Sequence, residues 1–458
     1  MESVLRKALK RITPSKAEEA AMQKVSRKLL IEVGKFADKH GAETILAGSI
    51  TRNTWLKEKK EIDIFVAFPE SLSEKDLERT GLSIGKAAIK SAGGRHVISY
   101  AQHPYVRGFV GKFQVDIVPC YKLSSSDKIK SAVDRTPFHV KYIEKNMRAS
   151  QANDVRLLKQ FCKSAGVYGA DLKTEGLSGY MCDLLIIRYG SFENAIESIA
   201  NWRAGTRITL QGEQDAKFEN APLTFIDPVD PNRNVAAAVS AKSFAALVSR
   251  ATEFCAKPSE KFFLMRKEKP LEKSEFIKIR KSRGSSIIAI IFKPPKVVAD
   301  ILWPQLRRAA ERINQMLKEN DFKAMNYAAW SDEKNAGIII FEMEVHELPN
   351  IKKRTGPSVF AHSNTRGFIE HYMKNSARKP YVEGLNWVAE TKRKHTNAPD
   401  YILNVLKQSK KKLESSGMPS YISESISKGF KMAADEKVYG LVNSNKGAKA
   451  FLRKFFGA

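Results

Sequence analysis

Two carboxylates on one apolar stretch are the residues of this chain best suited to chemistry. Glu61 and Asp63 lie in a run of Ile, Phe, Val and Ala that predicts a β-strand, and alternate residues of a strand share a face. Two acids on such a strand are costly unless a cation balances them, and Mg²⁺ binds through one or two carboxylates plus phosphate oxygens and water. The spacing therefore predicts a magnesium site. A solvated edge strand is the alternative, and the run from Lys57 to Lys60 also fits it.

A third acid stands at the centre of a second apolar stretch. Asp116 lies among the β-branched residues of Phe113 to Pro119, where a lone carboxylate needs a partner or a metal. Three carboxylates from two strands suit a two-metal displacement, in which one ion activates an attacking hydroxyl and the other holds a triphosphate. The set therefore predicts nucleotidyl transfer without a serine or histidine nucleophile.

A small-residue turn precedes the paired acids. Gly48 and Ser49 come just before them in the chain and offer backbone N–H groups and a hydroxyl to phosphate oxygens. Arg52 follows as a forked donor for the same charge. An ordinary turn before a helix is the other interpretation of this segment.

Gly-Ser, then Glu-x-Asp, then a distant Asp resembles the nucleotidyltransferase superfamily of DNA polymerase β. Longer strings resemble, more specifically, the archaeal class I CCA-adding enzymes, which are tRNA nucleotidyltransferases. These strings are Gly48–Trp55, Val115–Lys122, Ser131–His139 and Asp227–Ala236. The similarity extends through Trp303–Leu306 and fades beyond about residue 345.

The resemblance implies Mg²⁺-dependent addition of CCA to the 3′ end of tRNA from CTP and ATP. It implies that His139, Lys159 and Tyr168 contact the incoming triphosphate, and that Arg233, with Asn234 beside it, faces the base. On its own, His139 is also read as a structural histidine, and Arg233 as a surface arginine at a helix cap. A poly(A)-adding enzyme and a non-catalytic basic RNA-binding protein are the rival functions.

Composition agrees with an RNA partner. The 458 residues include 78 Lys and Arg against 50 Asp and Glu, a net charge of +28, which favours a polyanion through phosphate neutralisation and counterion release. Adaptation to an unusual cytoplasm or generic solubility would give the same surplus. The resemblance implies contacts with the acceptor and TΨC arms of tRNA.

Cysteine usage and hydropathy indicate a cytoplasmic protein. The four cysteines show neither zinc-ligand spacing nor a disulfide framework. No apolar stretch approaches membrane-spanning length, so we expect no membrane association. Oligomeric state does not follow from the sequence, and a homodimer stays open.

The periodicity predicts an α+β protein with four parts, and the resemblance implies the role of each. These are a polymerase-β-type nucleotidyltransferase head (1–142), a mostly helical central domain for nucleotide recognition (143–258), a ferredoxin-like or RRM-like α+β module (259–350) and a basic tRNA-binding tail (351–458). In the head we expect strand, turn, helix and carboxylate strand in order, then a helix over 74–91 and a strand over 97–101. We expect one helix over 144–163 and a buried packing helix over 178–189.

In the module we expect strands over 287–292 and 337–345 flanking a helix over 303–317. The tail carries aromatic residues among its basic ones. Their spacing fits either a helical core or rings that stack on nucleotides.

Overall fold

The computed structural model describes residues 1–100, 103–212, 218–265 and 269–457. The chain divides into two compact units, Met1–Arg266 and Lys267–Ala458. The finer division into four domains stays a prediction.

The elements of the first unit are α1 (Glu2–Ile12), α2 (Lys16–Ala37), β1 (Glu43–Ala47), β2 (Glu61–Pro69), α3 (Glu74–Ser91), β3 (Arg95–Tyr100), β4 (Pro104–Val110), β5 (Phe113–Lys122), α4 (Thr136–Asn146), α5 (Ala152–Ser164), α6 (Gly179–Tyr189), α7 (Phe192–Ala200), β6 (Thr206–Ile208), β7 (Leu223–Phe225) and α8 (Ala241–Ala256). Short 3₁₀ turns join several of them, including Gly48–Ile50.

The first five strands form one sheet in the order β1-β2-β5-β4-β3. Ile62, Ile64 and Val66 of β2 turn one face of the sheet toward α2 and α3, and these side chains are fully buried. Phe65 and Ala67 point to the opposite face, where Val140 of α4 packs. The two faces of β2 are thus separated by the alternation of a strand, and its acids share the face of Phe65.

The amino-terminal half of this unit follows the sequence expectations closely. Helix α2 begins with a capping box between Ser15 and Glu18, and it leads through a 3₁₀ turn to Gly41, whose φ is +64°. The predicted helix over 74–91 has the bounds of α3. The strand predicted over 97–101 is β3, although residue 101 lies outside the described part of the chain.

Two expectations for this unit were wrong. No α-helix stands between Gly48 and β2, where the structure has a 3₁₀ turn and a loop. The helix expected over 144–163 is interrupted, because α4 ends at Asn146 and α5 begins at Ala152. At the break, the Gln151 side chain donates hydrogen bonds to the carbonyls of Ile186 and Gly190, which ties the interruption to α6.

The elements of the second unit are α9 (Lys273–Arg283), β8 (Ser286–Phe292), α10 (Ala299–Glu319), β9 (Lys323–Ser331), β10 (Gly337–Val345), β11 (Ile351–Ser358), α11 (His362–Asn375), β12 (Arg378–Glu383), β13 (Asn386–Lys392), α12 (Ala398–Leu406), α13 (Lys410–Ser415), α14 (Ser420–Ser427), β14 (Phe430–Ala434), α15 (Lys437–Val442) and α16 (Lys446–Phe456).

An antiparallel sheet in the order β14-β8-β10-β9 forms the centre of this unit. Counted along the chain, this is fourth, first, third, second, with α10 between the first two strands, which is a ferredoxin-like arrangement. This sheet extends beyond residue 350, the predicted limit of the module, because its fourth strand is Phe430–Ala434. Between β10 and β14 the chain forms a separate three-stranded sheet in the order β11-β13-β12.

No helix in the described ranges combines the length and apolar character that a bilayer crossing requires.

Candidate active site

The predicted acids meet on two neighbouring parallel strands. β2 pairs with β5 in a register that sets Asp63 opposite Asp116 and Glu61 opposite Gln114. Asp63 and Asp116 therefore stand side by side on the sheet face that also carries Phe65, and Glu61 lies two residues before Asp63 on that face. The structure brings the three sequence-predicted acids to one place.

Electrostatics at this place favour a bound cation. The pKa of Asp63 is raised to about 7, first by burial and then by the nearby charges of Asp116 and Glu61. A raised carboxyl pKa is expected where like charges lie close together without enough positive charge to balance them. The acids therefore have the chemistry of a cation site, and oxygen donors suit a hard divalent ion.

Basic side chains form ion pairs with the other two acids, Glu61 and Asp116. Glu61 pairs with Lys59 at 2.6 Å, and Arg107 of β4 donates to both oxygens of Asp116, at 2.8 and 2.7 Å. With these pairings, the oxygens of the three acids do not all lie within 4.8 Å of one another. Rotation of the Glu61 and Asp116 side chains away from Lys59 and Arg107 would be needed for all three to hold one ion.

Gly48 lies directly against Asp63. Its φ is +77°, and a Cβ atom at this position would lie 2.1 Å from Asp63 Oδ2. Only glycine satisfies both the backbone conformation and this contact. The turn from Gly48 to Ile50 thus sets the Ser49 backbone close to the acids, and Thr54 closes the loop through its N–H bond to the Ser49 carbonyl at 2.9 Å.

Arg52 and Lys159, both predicted to contact the triphosphate, meet at one buried acid. Arg52 Nη2 lies 2.7 Å from Asp183 Oδ2, and Lys159 Nζ lies 3.1 Å from Asp183 Oδ1. Lys159 also donates to the Thr54 hydroxyl at 3.0 Å. A Cβ atom on Gly179 would lie 3.2 Å from the Tyr168 hydroxyl and 3.7 Å from Lys159 Cε, which places Tyr168 beside the lysine.

His139 and Arg233 converge on a second buried acid, Asp227. Asp227 Oδ2 lies 2.9 Å from His139 Nε2 and 2.6 Å from Arg233 Nη1. Its Oδ1 accepts from the Tyr180 hydroxyl at 3.2 Å and from the Val229 N–H at 3.0 Å. The His139 ring stacks on Tyr180 with centroids 3.9 Å apart. The structure thus joins two residues that are 94 positions apart in the chain.

Charges in this second cluster are matched. Burial raises the pKa of Asp227, but hydrogen bonds from His139, Val229 and Arg233 outweigh it and lower that pKa to about 2. Burial lowers the pKa of His139, so the ring is neutral at pH 7 and its Nε2–H donates to Asp227.

Asn234 lies inside the fold. Its Oδ1 accepts from the N–H groups of Phe225 and Ala236, both at 2.9 Å, and its Nδ2 donates to the Leu223 carbonyl at 3.0 Å. These bonds use most of the capacity of a buried amide. The side chain therefore shapes the loop that carries Arg233 and is not turned toward an open site.

Four residues of the site escaped the sequence expectations: Arg107, Tyr180, Asp183 and Asp227. The helix over 178–189 was expected only to pack, yet Tyr180 and Asp183 reach the two clusters from it. A signal for Asp183 was present, because a lone acid in an apolar helix needs a buried partner. Arg107 had no such signal, since only the pairing of β4 with β5 sets it opposite Asp116.

A separate group of possible metal ligands consists of Glu74, Glu78 and His103, whose ligand atoms all lie within 4.8 Å of one another. His103 Nδ1 lies 3.0 Å from Glu78 and 3.5 Å from Glu74. The contact of His103 with Glu78 is an ordinary hydrogen bond, and Glu74 is largely exposed.

Comparison with known protein families agrees with the fold. Residues 27–139 match the family described as nucleotidyltransferase domain, residues 153–264 match the second domain of tRNA nucleotidyltransferase, and residues 283–435 match the C-terminal domain of CCA-adding enzyme. The protein therefore has a nucleotidyltransferase head, as its sequence predicts.

Curated relatives show which family of nucleotidyltransferases the chain is similar to. The CCA-adding enzyme of Methanosarcina acetivorans is 36% identical over 98% of this chain and 96% of its own length. The enzymes of Archaeoglobus fulgidus and Methanothermobacter thermautotrophicus are also 36% identical, over 96% and 94% of this chain and 96% and 93% of their own lengths. The chain belongs to the CCA-adding enzyme family.

Solved structures align more loosely. The Cid1 poly(U) polymerase superposes with a TM-score of 0.46 at 13% identity, covering 57% of this chain and 98% of that one, a likeness too weak to transfer function.

Proposed function

We propose that this protein adds C, C and A to the 3′ end of tRNA, with CTP and ATP as substrates and pyrophosphate as the product. The observation that carries the assignment of its site is the side-by-side register of Asp63 and Asp116 together with the raised pKa of Asp63. Family membership supports the same reaction.

Glu61, Asp63 and Asp116 are the residues that would hold divalent cations, for which we propose Mg²⁺. Their hard oxygens and excess negative charge fit that ion. Bound there, the ions would lower the pKa of the attacking ribose hydroxyl and neutralise charge on the triphosphate. Arg107 and Lys59, which balance two of these acids, would release them to the ions.

The triphosphate would lie against cations and donors of the first unit. Ser49 offers its N–H and hydroxyl, Lys159 acts as a compact charge, and Arg52 as a forked donor. Tyr168 adds a hydroxyl beside Lys159. These groups orient the α-phosphate toward the terminal hydroxyl without forming a covalent intermediate.

Arg233 would face the base, held in place by Asp227. A site built on hydrogen bonds penalises a base that leaves them unpaired, so a positioned guanidinium discriminates better than shape alone. His139 donates its Nε2–H to Asp227, so its Nδ1 would accept from the nucleotide. In this state the ring does not donate to a triphosphate oxygen, the contact that the resemblance implies. Asn234 supports the Arg233 loop from inside.

The test uses purified protein, Mg²⁺ and a tRNA that ends at the discriminator base, with CTP and ATP given separately and together. We expect two additions from CTP alone, one further addition when ATP is present, and then a stop. A long ladder from ATP alone would instead indicate a poly(A)-adding enzyme. RNA binding without any extension would indicate a non-catalytic RNA-binding protein.

The finer partner assignments belong to the same proposal. We expect the basic surface to bind the acceptor and TΨC arms of tRNA, with an affinity that falls steeply with salt. A homodimer and a cytoplasmic location stay predictions. Light scattering of the purified protein measures the former.

A further inference from the structure

Asp183 is a buried acid that sits between two cations from different parts of the chain. Its side chain is 0% exposed, that of Lys159 is 2% exposed and that of Arg52 is 8% exposed. Each oxygen of Asp183 faces one cation, at 2.7 Å and 3.1 Å. Arg52 comes from the loop after Gly48, Lys159 from α5 and Asp183 from α6.

The charges of this trio do not cancel. Two cations and one anion leave one positive charge in a nearly dry place. Asp63 interacts with the charge of Arg52, but this acid belongs to the cluster proposed to hold the metal ions. Arg52 Nε is buried without a hydrogen-bond partner among the described residues. Lys159 has three donors, of which one bonds the Thr54 hydroxyl, and its Nζ lies at ion-pair distance from Asp183. Both oxygens of Asp183 are buried and face the two cations without a hydrogen bond among the described residues. Donors and charge are therefore left over for one more anion.

We propose that Asp183 is a positioning residue that holds Arg52 and Lys159 together as one clamp for the nucleotide triphosphate. Asp183 itself touches no substrate. It offsets the mutual repulsion of the two cations and fixes which of their donors remain available. This inference rests on the proposed function, because it takes the extra anion to be the triphosphate of CTP or ATP.

The principal test is Asp183→Asn, which keeps the shape and removes the charge. We expect the KM for CTP to rise by about tenfold to a hundredfold, the scale found for groups that orient ligating side chains. We also expect inorganic tripolyphosphate to inhibit the variant less well than the wild type, while cytidine inhibits both equally. The two competitors separate the clamp from base recognition.

A pH profile distinguishes positioning from a merely structural role. Burial lowers the pKa of Lys159, and Asp183 opposes that shift. The other groups that face Lys159 are Arg52, Cys182, Thr54 and the Tyr168 hydroxyl. Without Asp183 the lysine loses its proton at lower pH, so the KM for CTP should begin to rise at a lower pH in Asp183→Asn than in the wild type.

Two control variants complete the design. Glu342→Gln removes another fully buried carboxylate that pairs with an arginine, Arg283, in the second unit, and it should lower stability without changing the KM or its pH profile. Lys159→Gln tests the underlying assignment. If Lys159→Gln leaves CTP affinity unchanged, the proposed function of this lysine fails, and the clamp fails with it.

The clamp alone is overturned if Lys159→Gln raises the KM but Asp183→Asn has the KM and pH profile of the wild type. Should Asp183→Asn not fold, the double variant Asp183→Asn/Lys159→Gln loses one cation together with the anion. We expect it to bind CTP at least about tenfold more weakly than Lys159→Gln, because Arg52 is left without its anchor. Equal affinities overturn the proposal.

Discussion

Asp63 and Asp227 are both acids of the first unit, yet their pKa values move in opposite directions. Asp63 stands beside two further acids and its pKa is raised to about 7. Asp227 accepts bonds from His139, Tyr180, Arg233 and a backbone N–H, and its pKa is lowered to about 2. The protein does not supply enough positive charge to balance Asp63, whereas it fully balances the charge of Asp227.

The difference separates two tasks. An acid whose charge is balanced by the protein holds other side chains in place, as Asp227 does for Arg233. An acid left short of cations is available to a metal ion. Substitutions at these acids and at the residues beside them test this division of roles.

Asp63→Ala should nearly abolish nucleotide addition, because it removes one of the three proposed metal ligands. We expect the rate of CMP addition to fall by roughly 10⁴-fold, the scale for a residue that acts as part of a catalytic unit, with tRNA affinity little changed. Single-turnover extension and filter binding measure the two quantities. Normal extension by Asp63→Ala or by Asp116→Ala would remove these acids from the site.

Gly48→Ala should displace Asp63, because the new Cβ would lie 2.1 Å from Asp63 Oδ2. We expect extension to slow by roughly a hundredfold, since a shift of about 1 Å in a reacting group costs that much. Gly41→Ala is the matched control, because its φ is +64° and no atom lies within 4 Å of the added Cβ. If both variants lose activity equally, backbone strain and not contact with Asp63 is responsible.

Asp227→Asn should destabilise the first unit by about 3 kcal/mol, the range for breaking a buried charge pair. The folded pKa of about 2 lies below the ordinary value of 3.8, so the carboxylate stabilises the fold above pH 3.8 and loses this effect as the pH falls toward 2. Urea unfolding at several pH values measures the difference between variant and wild type. A difference that does not shrink below pH 4 would contradict the assigned pKa.

Mg²⁺ dependence should follow the pKa of Asp63. Because the pKa of Asp63 is raised to about 7, Mg²⁺ must displace a proton from this carboxyl below that pH. The Mg²⁺ concentration for half-maximal extension should therefore rise by about tenfold for each unit by which the pH falls below 7. Titration of Mg²⁺ at pH 6, 7 and 8 measures this. A constant requirement across that range would mean that Asp63 is not a ligand.

Much of the head could be predicted because its signals are local. Glu61, Asp63 and Asp116 each lie on an apolar strand, and the period of two fixes which residues share a face. The clusters around Asp183 and Asp227 could not be predicted, because they join residues far apart in sequence through helix packing. Periodicity shows that the helix over 178–189 is buried but not what its acid meets.

The second unit shows a different limit. Strands β8 and β10 have long apolar runs and were predicted with bounds close to those observed. β14 is short, lies far along the chain and carries Lys431 as its second residue, so its place at the edge of the same sheet gave no sequence signal.

This late strand has a consequence for biosynthesis. A ribosome completes β8, α10, β9 and β10 well before it reaches Phe430–Ala434, so the nascent sheet has an unpaired border along β8 during that interval. Ile288 and Ile290 of that border are fully buried in the finished protein, and an open strand of this kind invites pairing with other chains. Nonsense mutations between the end of β10 and the start of β14, at codons 346–430, should therefore yield aggregation-prone fragments, even though every residue proposed for chemistry has already been made.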